Sequence, residues 1–347
     1  MKAWRIVSAG KLEMCNVPMP KPSDNGVIIK VDACGVCHSD LYIINGYMDL
    51  GEGKRLMLDQ FGTKFPLTPG HEIAGTVHEV GSNVKGLSVG EKVLVYPWIG
   101  CDVCRACAVG LNMLCDNQQY IGAHIDGGYA EYVYVPHYRY ALKIGNLNPE
   151  EVAPLSCSGI TAFHALNEAK VESDELLVII GVGGLGSIAI QLAKKLKNVN
   201  LAAIDVDEKK LSFASELGSD YVINPMKEDP LNSLLKMHGS GADAVIDFVN
   251  SSRTAEMAFN LLNKGGRQVC VGHYGGAINI PLNILTLKSI KIIGSHVGTI
   301  RELMELINLA QRGVIKPVVS TYRLEDAKVV LEKLNKGEIV GRAILTP

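Results

Sequence analysis

Residues 176–186 read LLVIIGVGGLG, and this stretch decides the fold class. A short apolar run that ends in glycine is typical of a strand buried inside a parallel sheet. Leu185, Ile188, Leu192 and Leu196 then recur at the spacing of an α-helix. The stretch therefore predicts a buried strand, a tight glycine turn and an amphipathic helix in succession.

The glycine turn fits the pattern G-x-G-x-x-G. The first glycine allows the tight turn, the second lets a pyrophosphate approach the backbone, and the third lets helix and strand pack closely. Asp205 closes the next strand, where a carboxylate binds ribose hydroxyls and repels a 2′-phosphate. This context favours NAD binding over an ordinary turn with a solvated acid. The candidate cofactor-binding residues are Gly181, Gly183, Gly184, Leu185, Gly186, Asp205 and Lys210.

Strands and helices continue to alternate beyond this turn. Apolar runs such as NLAAID and ADAVIDF are separated by helical stretches, among them residues 253–266. This alternation predicts an α/β domain built on a doubly wound parallel sheet, the Rossmann fold, over residues 157–294.

The first 156 residues follow a different pattern. Short β-prone runs lie between Gly and Pro residues, and residues 129–144 form a long alternating stretch. This pattern predicts an antiparallel, barrel-like, mainly-β domain. After residue 295, two amphipathic helices and a final strand fit either domain on pattern alone. A chain of 347 residues is long enough for two domains.

The composition excludes several functions. Hydrophobic residues make up 47% and charged residues 20% of the chain, and the formal net charge is −2. This balance argues against a nucleic-acid partner or a polybasic membrane surface. We find no signal peptide and no apolar run long enough for a membrane helix, so we expect a cytoplasmic protein. In that compartment, nine cysteines are expected to be ligands, nucleophiles or core residues rather than disulfides.

Two groups of cysteine and histidine residues stand out. Four cysteines fall within residues 101–115, too close together for a typical disulfide framework. Three isolated positions, Cys37, His71 and Cys157, are of types that suit tetrahedral zinc with an open fourth position. Spacing alone does not show that these three converge, and each cysteine could instead be an ordinary buried thiol.

Several motifs, in one order, carry a family resemblance. They are CGVCHSD at residues 34–40, GHEIAGTVHEVGSNV at 70–84, the cysteine stretch at 101–115, CSGIT at 157–161 and GVGGLG at 181–186. With them the whole chain resembles the zinc-dependent medium-chain alcohol dehydrogenases, and is most similar to the NAD-dependent archaeal enzymes. The resemblance implies a GroES-like catalytic domain at residues 1–156 with a zinc lobe at about 98–118. It also implies that residues 295–347 return to this domain, and that the protein is a homotetramer.

The same resemblance implies two zinc ions per chain. Cys37, His71 and Cys157 would hold the catalytic zinc, and Cys101, Cys104, Cys107 and Cys115 the structural zinc. The role of Asp40 would be to orient His71, while Glu72 would support the site or act as an alternate fourth ligand. Other implied roles are the substrate hydrogen bond for Ser39, cofactor contacts for Thr161 and Arg342 (the latter to the pyrophosphate), and the substrate pocket for Trp98 and Tyr120.

The implied activity is reversible hydride transfer between a primary or secondary alcohol and NAD. One position departs from the family pattern, because Tyr42 stands where many members have a histidine that ends a proton relay. His38 is the candidate replacement. Two other functions remain open at this point: a zinc-free quinone or enoyl reductase of the same superfamily, and a non-catalytic zinc- or nucleotide-binding protein. The presence of all three candidate catalytic ligands argues against both.

Overall fold

The computed structural model describes residues 1–347, and the chain divides into two compact units. The first unit contains Met1–Met48, Met57–Ile160 and Gly298–Pro347, and the second contains Asp49–Leu56 and Thr161–Val297. The boundaries drawn from the sequence, at residues 157 and 295, lie within a few residues of these. The assignment of the short segment Asp49–Leu56 to the second unit has no counterpart in the sequence pattern.

Seventeen strands and eleven α-helices make up the two units. The strands are β1 (Lys2–Ser8), β2 (Lys11–Asn16), β3 (Val27–Gly35), β4 (Tyr47–Gly51), β5 (Lys54–Met57), β6 (Glu72–Val80), β7 (Lys92–Val95), β8 (Tyr132–Val135), β9 (Ala141–Lys143), β10 (Leu176–Ile180), β11 (Asn200–Ile204), β12 (Tyr221–Ile223), β13 (Ala242–Asp247), β14 (Leu262–Cys270), β15 (Lys291–Gly294), β16 (Val319–Arg323) and β17 (Arg342–Thr346). The helices are α1 (His38–Asn45), α2 (Arg105–Ala108), α3 (Pro149–Val152), α4 (Ser158–Ala169), α5 (Gly184–Leu196), α6 (Glu208–Glu216), α7 (Pro230–Met237), α8 (Ser252–Leu261), α9 (Leu282–Leu287), α10 (Ile300–Gln311) and α11 (Ala327–Asn335). None of the helices combines the length and the apolar character needed to cross a bilayer.

The first unit is built on a seven-stranded sheet in the order β16-β17-β3-β6-β7-β9, with β8 also paired to β3. All its pairings are antiparallel except that of β16 with β17. Strand β17 pairs with the end of β3, where Leu345 lies opposite Cys34. The C-terminal segment therefore completes the sheet of this unit and brings Arg342 to it.

The second unit contains a six-stranded, fully parallel sheet. Its order, β12-β11-β10-β13-β14-β15, is 3-2-1-4-5-6 when the strands are counted along the chain. Every residue of β10 is buried, as its continuous apolar run predicted. In sheets of this order, ligands bind beyond the carboxyl ends of the strands where the order reverses, which here is between β10 and β13.

Several elements differ from the sequence expectation. The helix predicted over residues 253–266 ends at Leu261, and β14 begins at the next residue. Leu262 already has an extended backbone (φ −75°, ψ 136°), so the helix stops before the Gly265-Gly266 pair that the pattern had included. Pro136 interrupts the alternating stretch 129–144, which forms β8 and β9 instead of one long strand. Elements β4, β5, α9 and β16 were not expected from the pattern.

Candidate active site

Cys37 and Asp40 are held together by the start of α1. Cys37 is the N-cap residue, and its backbone N–H donates to Asp40 Oδ2 at 2.8 Å. Asp40 is fully buried in the first turn. An acidic side chain there accepts from a backbone N–H that the helix leaves unpaired. Its negative charge also interacts favourably with the positive end of the helix dipole. The local sequence CHSD thus fixes both residues relative to each other.

His71 lies immediately before β6, and Asp40 sets the orientation of its ring. The Nδ1 atom of His71 is 3.1 Å from Asp40 Oδ1, and the imidazole is 2% exposed. The other ring nitrogen, Nε2, is buried without a hydrogen-bond partner. Because a buried polar atom without a partner is costly, this nitrogen requires a ligand that the side chains do not supply.

Cys157 completes the group from a distant part of the sequence. It lies between a short 3₁₀ helix and α4, in a backbone conformation outside the regular regions (φ −129°, ψ −73°). The sulfur atoms of Cys37 and Cys157 and a ring nitrogen of His71 all lie within 4.8 Å of one another, and all three residues are buried. Ligands of tetrahedral zinc are about 3.3–3.8 Å apart, so two thiolates and the orphaned imidazole nitrogen fit a zinc ion.

The ionisation of this group is strongly coupled. The hydrogen bond with Cys157 is the largest cause of a pKa of Cys37 well below the usual value, and the same contact together with burial raises the pKa of Cys157. Burial acts to lower the pKa of His71, but the neighbouring Asp40 carboxylate and Cys37 together outweigh it, and the net pKa is raised. A metal ion that binds here must displace protons, so its affinity depends on pH.

Glu72 and Arg342 form a buried ion pair beside the three candidate ligands. The guanidinium donates from Nε to Glu72 Oε2 at 2.9 Å and from an Nη to Oε1 at 2.5 Å. Glu72 Oε1 also accepts from the backbone N–H of Ser158 at 3.0 Å, next to Cys157. Arg342 is thus paired with Glu72 in this structure, and both oxygens of Glu72 accept hydrogen bonds. The implied contact of Arg342 with the pyrophosphate and the implied role of Glu72 as an alternate fourth ligand remain predictions.

The remaining predicted catalytic and pocket residues differ in how close they lie to the three candidate ligands. Ser39 is half-buried, with its Oγ 3.7 Å from Cys37 Sγ, whereas His38 is exposed. Trp98 is buried, and its ring centroid lies 5.6 Å from that of His71. Tyr120 packs edge-on against Trp98 at 5.0 Å, and its hydroxyl donates to the Met113 carbonyl. Of the two aromatic residues, Trp98 contacts the cluster directly and Tyr120 packs behind it.

The four cysteines of residues 101–115 also converge. Their sulfur atoms lie within 4.8 Å of one another, and all nine cysteines of the chain are free of disulfides. Backbone N–H groups point at two of the sulfurs: those of Val103 and Cys104 lower the pKa of Cys101 to about 7, while Cys115 Sγ accepts from the N–H groups of Cys101 and Asn117 at 3.2 and 3.3 Å. N–H groups aimed at sulfur favour thiolates, the form that binds zinc. At Cys115, burial outweighs these N–H groups and raises the pKa to about 12 in the absence of a metal.

The glycine turn of the second unit has three distinct environments. At Gly181, φ is +90°, and a Cβ on Gly186 would lie 2.0 Å from the carbonyl oxygen of Gly181. A Cβ on Gly183, which is the N-cap of α5, would meet no atom within 4 Å. Glycine is thus needed at position 181 for the backbone conformation of the turn and at position 186 for close packing of the helix against the turn. Gly183 instead faces the open space that a pyrophosphate at the helix N-terminus needs.

Asp205 is anchored beside this turn. Its Oδ2 accepts from the backbone N–H of Val182 at 2.8 Å, and its Oδ1 accepts from that of Asp207 at 3.0 Å. These bonds hold the carboxylate at the end of β11, where a ribose would lie. Lys210 is half-buried on α6 and Thr161 is buried on α4, and their predicted cofactor contacts remain predictions.

Two features were missed in the sequence. One is Tyr129, a fully buried tyrosine that hydrogen-bonds to Asp40. The other is a group of histidines, in which the rings of His273 and His296 are nearly parallel at 6.2 Å and His164 is close enough to lower the pKa of His296. His273 follows β14 and His296 follows β15. Because these are neighbouring parallel strands, the position of each histidine just after a strand could have indicated that the two lie close together.

The histidine group predicts a stability that falls in acid. Burial and then the charges of His273 and His164 lower the pKa of His296 to about 4, whereas an unfolded histidine titrates near 6.5. Between these values the unfolded chain binds a proton that the folded chain excludes, so stability decreases as pH falls. We expect this histidine to lower the free energy of unfolding by about 2 kcal/mol between pH 7 and pH 5. Urea unfolding of wild type and His296→Gln checks this, and an equal pH dependence in both would contradict it.

The fold and the two clusters have the features of a zinc-binding, dinucleotide-dependent dehydrogenase. An alcohol dehydrogenase GroES-like domain matches residues 23–146, and a zinc-binding dehydrogenase domain matches residues 184–312. The NAD-dependent alcohol dehydrogenase of Sulfurisphaera tokodaii is 41% identical, with both chains covered completely. The chain belongs to the zinc-dependent medium-chain alcohol dehydrogenase family, and the predicted fold class is confirmed.

Solved structures agree with this assignment. The crystal structure of the alcohol dehydrogenase from the hyperthermophilic archaeon Aeropyrum pernix is 35% identical to this chain, with a TM-score of 0.91 and complete coverage of both chains. A cobalt- and zinc-bound thermostable alcohol dehydrogenase from Pyrobaculum aerophilum is 29% identical, with a TM-score of 0.87, and covers 100% of this chain and 99% of its own.

Proposed function

We propose that this protein is a zinc- and NAD-dependent alcohol dehydrogenase that interconverts primary or secondary alcohols with aldehydes or ketones. The observation that carries the proposal is the buried group of Cys37, His71 and Cys157, in which His71 Nε2 has no partner. Three protein ligands are the number that a catalytic zinc site uses, because the fourth position is left for the reacting molecule. All three relatives described above are named alcohol dehydrogenases, and that of Sulfurisphaera tokodaii is named as NAD-dependent.

The chain's own residues prepare the catalytic ligands. Asp40 accepts from His71 Nδ1, which leaves Nε2 as the ligand atom, and it also fixes the backbone of Cys37. If Cys37, His71 and Cys157 hold a zinc ion, it would supply a Lewis acid for the reacting oxygen. Ser39, whose hydroxyl lies 3.7 Å from Cys37 Sγ, would accept the hydrogen bond of the alcohol hydroxyl and, as it receives that proton, release its own to His38 or to water.

The second unit prepares the cofactor site. NAD supplies the hydride acceptor of the reaction. Gly183 leaves space for the pyrophosphate at the start of α5, and Asp205 accepts hydrogen bonds from ribose hydroxyls. The Asp205 carboxylate also disfavours a 2′-phosphate, so we propose NAD rather than NADP as the cofactor.

We propose that Cys101, Cys104, Cys107 and Cys115 hold a second, structural zinc. Four thiolates fill a tetrahedral shell and leave no position for a substrate. Replacement of Cys107 by serine is therefore expected to lower stability by several kcal/mol while turnover at 25 °C, per folded molecule, stays within about twofold. Thermal unfolding and kcat of Cys107→Ser check this, and a variant of unchanged Tm would contradict it.

The family resemblance further implies a cytoplasmic homotetramer, and we propose this assembly for the protein. Light scattering of the purified chain tests it directly, since a monomer has a mass of 37.4 kDa.

The proposed activity is tested by following NADH formation with primary, secondary, cyclic and aromatic alcohols. We expect turnover with NAD and at least about tenfold lower kcat/KM with NADP, because the 2′-phosphate would meet Asp205. A matched variant, Asp205→Asn, keeps the size of the side chain but removes its charge. It should bring the kcat/KM values for NAD and NADP closer together. A preference for NADP in the wild type would contradict the assignment of Asp205.

A zinc-free quinone or enoyl reductase is the second candidate function. Such an enzyme has no use for a buried thiolate, imidazole and thiolate group. The same purified protein distinguishes the two, since the reductase would reduce a quinone or an enoyl compound after complete removal of zinc, whereas the dehydrogenase would be inactive.

A further inference from the structure

Tyr129 contacts the candidate catalytic metal site at two places. It is fully buried, and its hydroxyl donates to Asp40 Oδ2 at 2.9 Å. Its ring packs against Gly70, because a Cβ built on that glycine would lie 2.3 Å from the ring carbon Cδ1. Gly70 precedes His71 and has a φ of +94°, which an L side chain rarely adopts. The tyrosine thus touches the backbone before His71 and the carboxylate that orients the His71 ring.

Asp40 is the point through which this contact reaches the ligands. Its Oδ1 contacts His71 Nδ1, and its Oδ2 accepts from both the Cys37 N–H and the Tyr129 hydroxyl. One carboxylate therefore joins two of the three candidate ligands, and it is itself held by two donors. Hydrogen bonds to a charged group in a buried environment are stronger than those between neutral groups.

We propose that Tyr129 is a positioning residue for the catalytic metal: its hydroxyl fixes Asp40, and Asp40 in turn fixes His71 and Cys37. This inference rests on the proposed zinc at Cys37, His71 and Cys157. A phenylalanine would fill the same space and pack on Gly70 equally well, so packing alone does not explain the hydroxyl. What the hydroxyl adds is a second donor on Asp40 Oδ2, which restricts rotation of the carboxylate away from the imidazole.

The prediction is a faster release of zinc when only this hydroxyl is removed. Partners that orient a metal-bound histidine change metal affinity by about 10- to 100-fold, and a residue one contact further out is expected to change it by roughly tenfold. We would follow zinc transfer from the native protein to a chromogenic chelator in wild type, Tyr129→Phe and Tyr96→Phe. Tyr96 is the matched control, since it is also fully buried and donates one hydrogen bond, to the Gly298 carbonyl at 2.8 Å.

Two zinc sites are expected to release metal in two phases, and the phase of interest is the one that Cys157→Ala lacks. Tyr129→Phe should accelerate this phase about tenfold and leave the other phase unchanged, while Tyr96→Phe should match wild type in both. In an Asp40→Asn background the Tyr129→Phe effect should disappear, because the hydroxyl acts through that carboxylate.

Two results would overturn the inference alone: equal release from Tyr129→Phe and Tyr96→Phe, or an undiminished tyrosine effect in the Asp40→Asn background. A wild-type protein that lacks this phase altogether would instead overturn the proposed catalytic zinc, and the inference with it.

Discussion

Cys157→Ala is expected to lower kcat/KM for alcohol oxidation by at least about a thousandfold, because metal stabilisation of charge in the transition state supplies several kcal/mol. The change removes one of three ligands from a buried group whose sulfur and nitrogen atoms lie within 4.8 Å of one another. The two remaining ligands cannot hold zinc in a tetrahedral site open only to substrate. The zinc content should fall from two per chain to one.

Cys34→Ala is the matched control for this variant. Cys34 is also a completely buried thiol of the same unit, but it is outside both cysteine-containing groups. Its replacement should cost stability through a small cavity and leave the zinc content at two. If Cys157→Ala kept two zinc ions and wild-type turnover, the three residues would not be the catalytic ligands.

The second large effect is expected from Gly183→Val. A Cβ at this position meets no protein atom within 4 Å, and φ at Gly183 is −90°, so we expect the fold to tolerate a side chain there. It would, however, occupy the space that a pyrophosphate needs. Forcing atoms into a close-packed contact costs about 1–3 kcal/mol, so the Kd for NAD should rise about tenfold to a hundredfold.

Gly294→Val provides the comparison, since a Cβ on Gly294 would also meet no atom within 4 Å. Both variants should unfold at nearly the wild-type temperature, but only Gly183→Val should bind NAD more weakly, as fluorescence titration would show. Equal NAD affinity in the two variants would mean that the glycine turn does not receive the cofactor.

The sequence predicted those parts of the fold whose defining residues lie close together along the chain. The glycine turn, its preceding apolar strand and the helix after it lie within about 20 consecutive residues, so periodicity and glycine spacing identify them together. The four cysteines of residues 101–115 are equally local. Elements β4, β5 and β16 were missed because short, exposed strands carry little hydrophobic alternation.

The site depends on contacts that local patterns do not contain. Cys37, His71 and Cys157 could be grouped only through the family resemblance, since spacing gives no distance between them. The pair of Glu72 with Arg342 joins residues 270 positions apart, and the Tyr129 to Asp40 bond spans 89. Such contacts arise from the pairing of β17 with β3 and of β3 with β6, which bring distant segments into one sheet.

The most direct test of the account is alcohol-dependent NADH formation before chelation, after chelation and after zinc is added back, with zinc counted per chain at each step. We predict turnover with two zinc ions per chain, loss of turnover when the zinc at Cys37, His71 and Cys157 is removed, and recovery when it is restored. Turnover that persists at its full rate with no zinc at this site would contradict the proposed function.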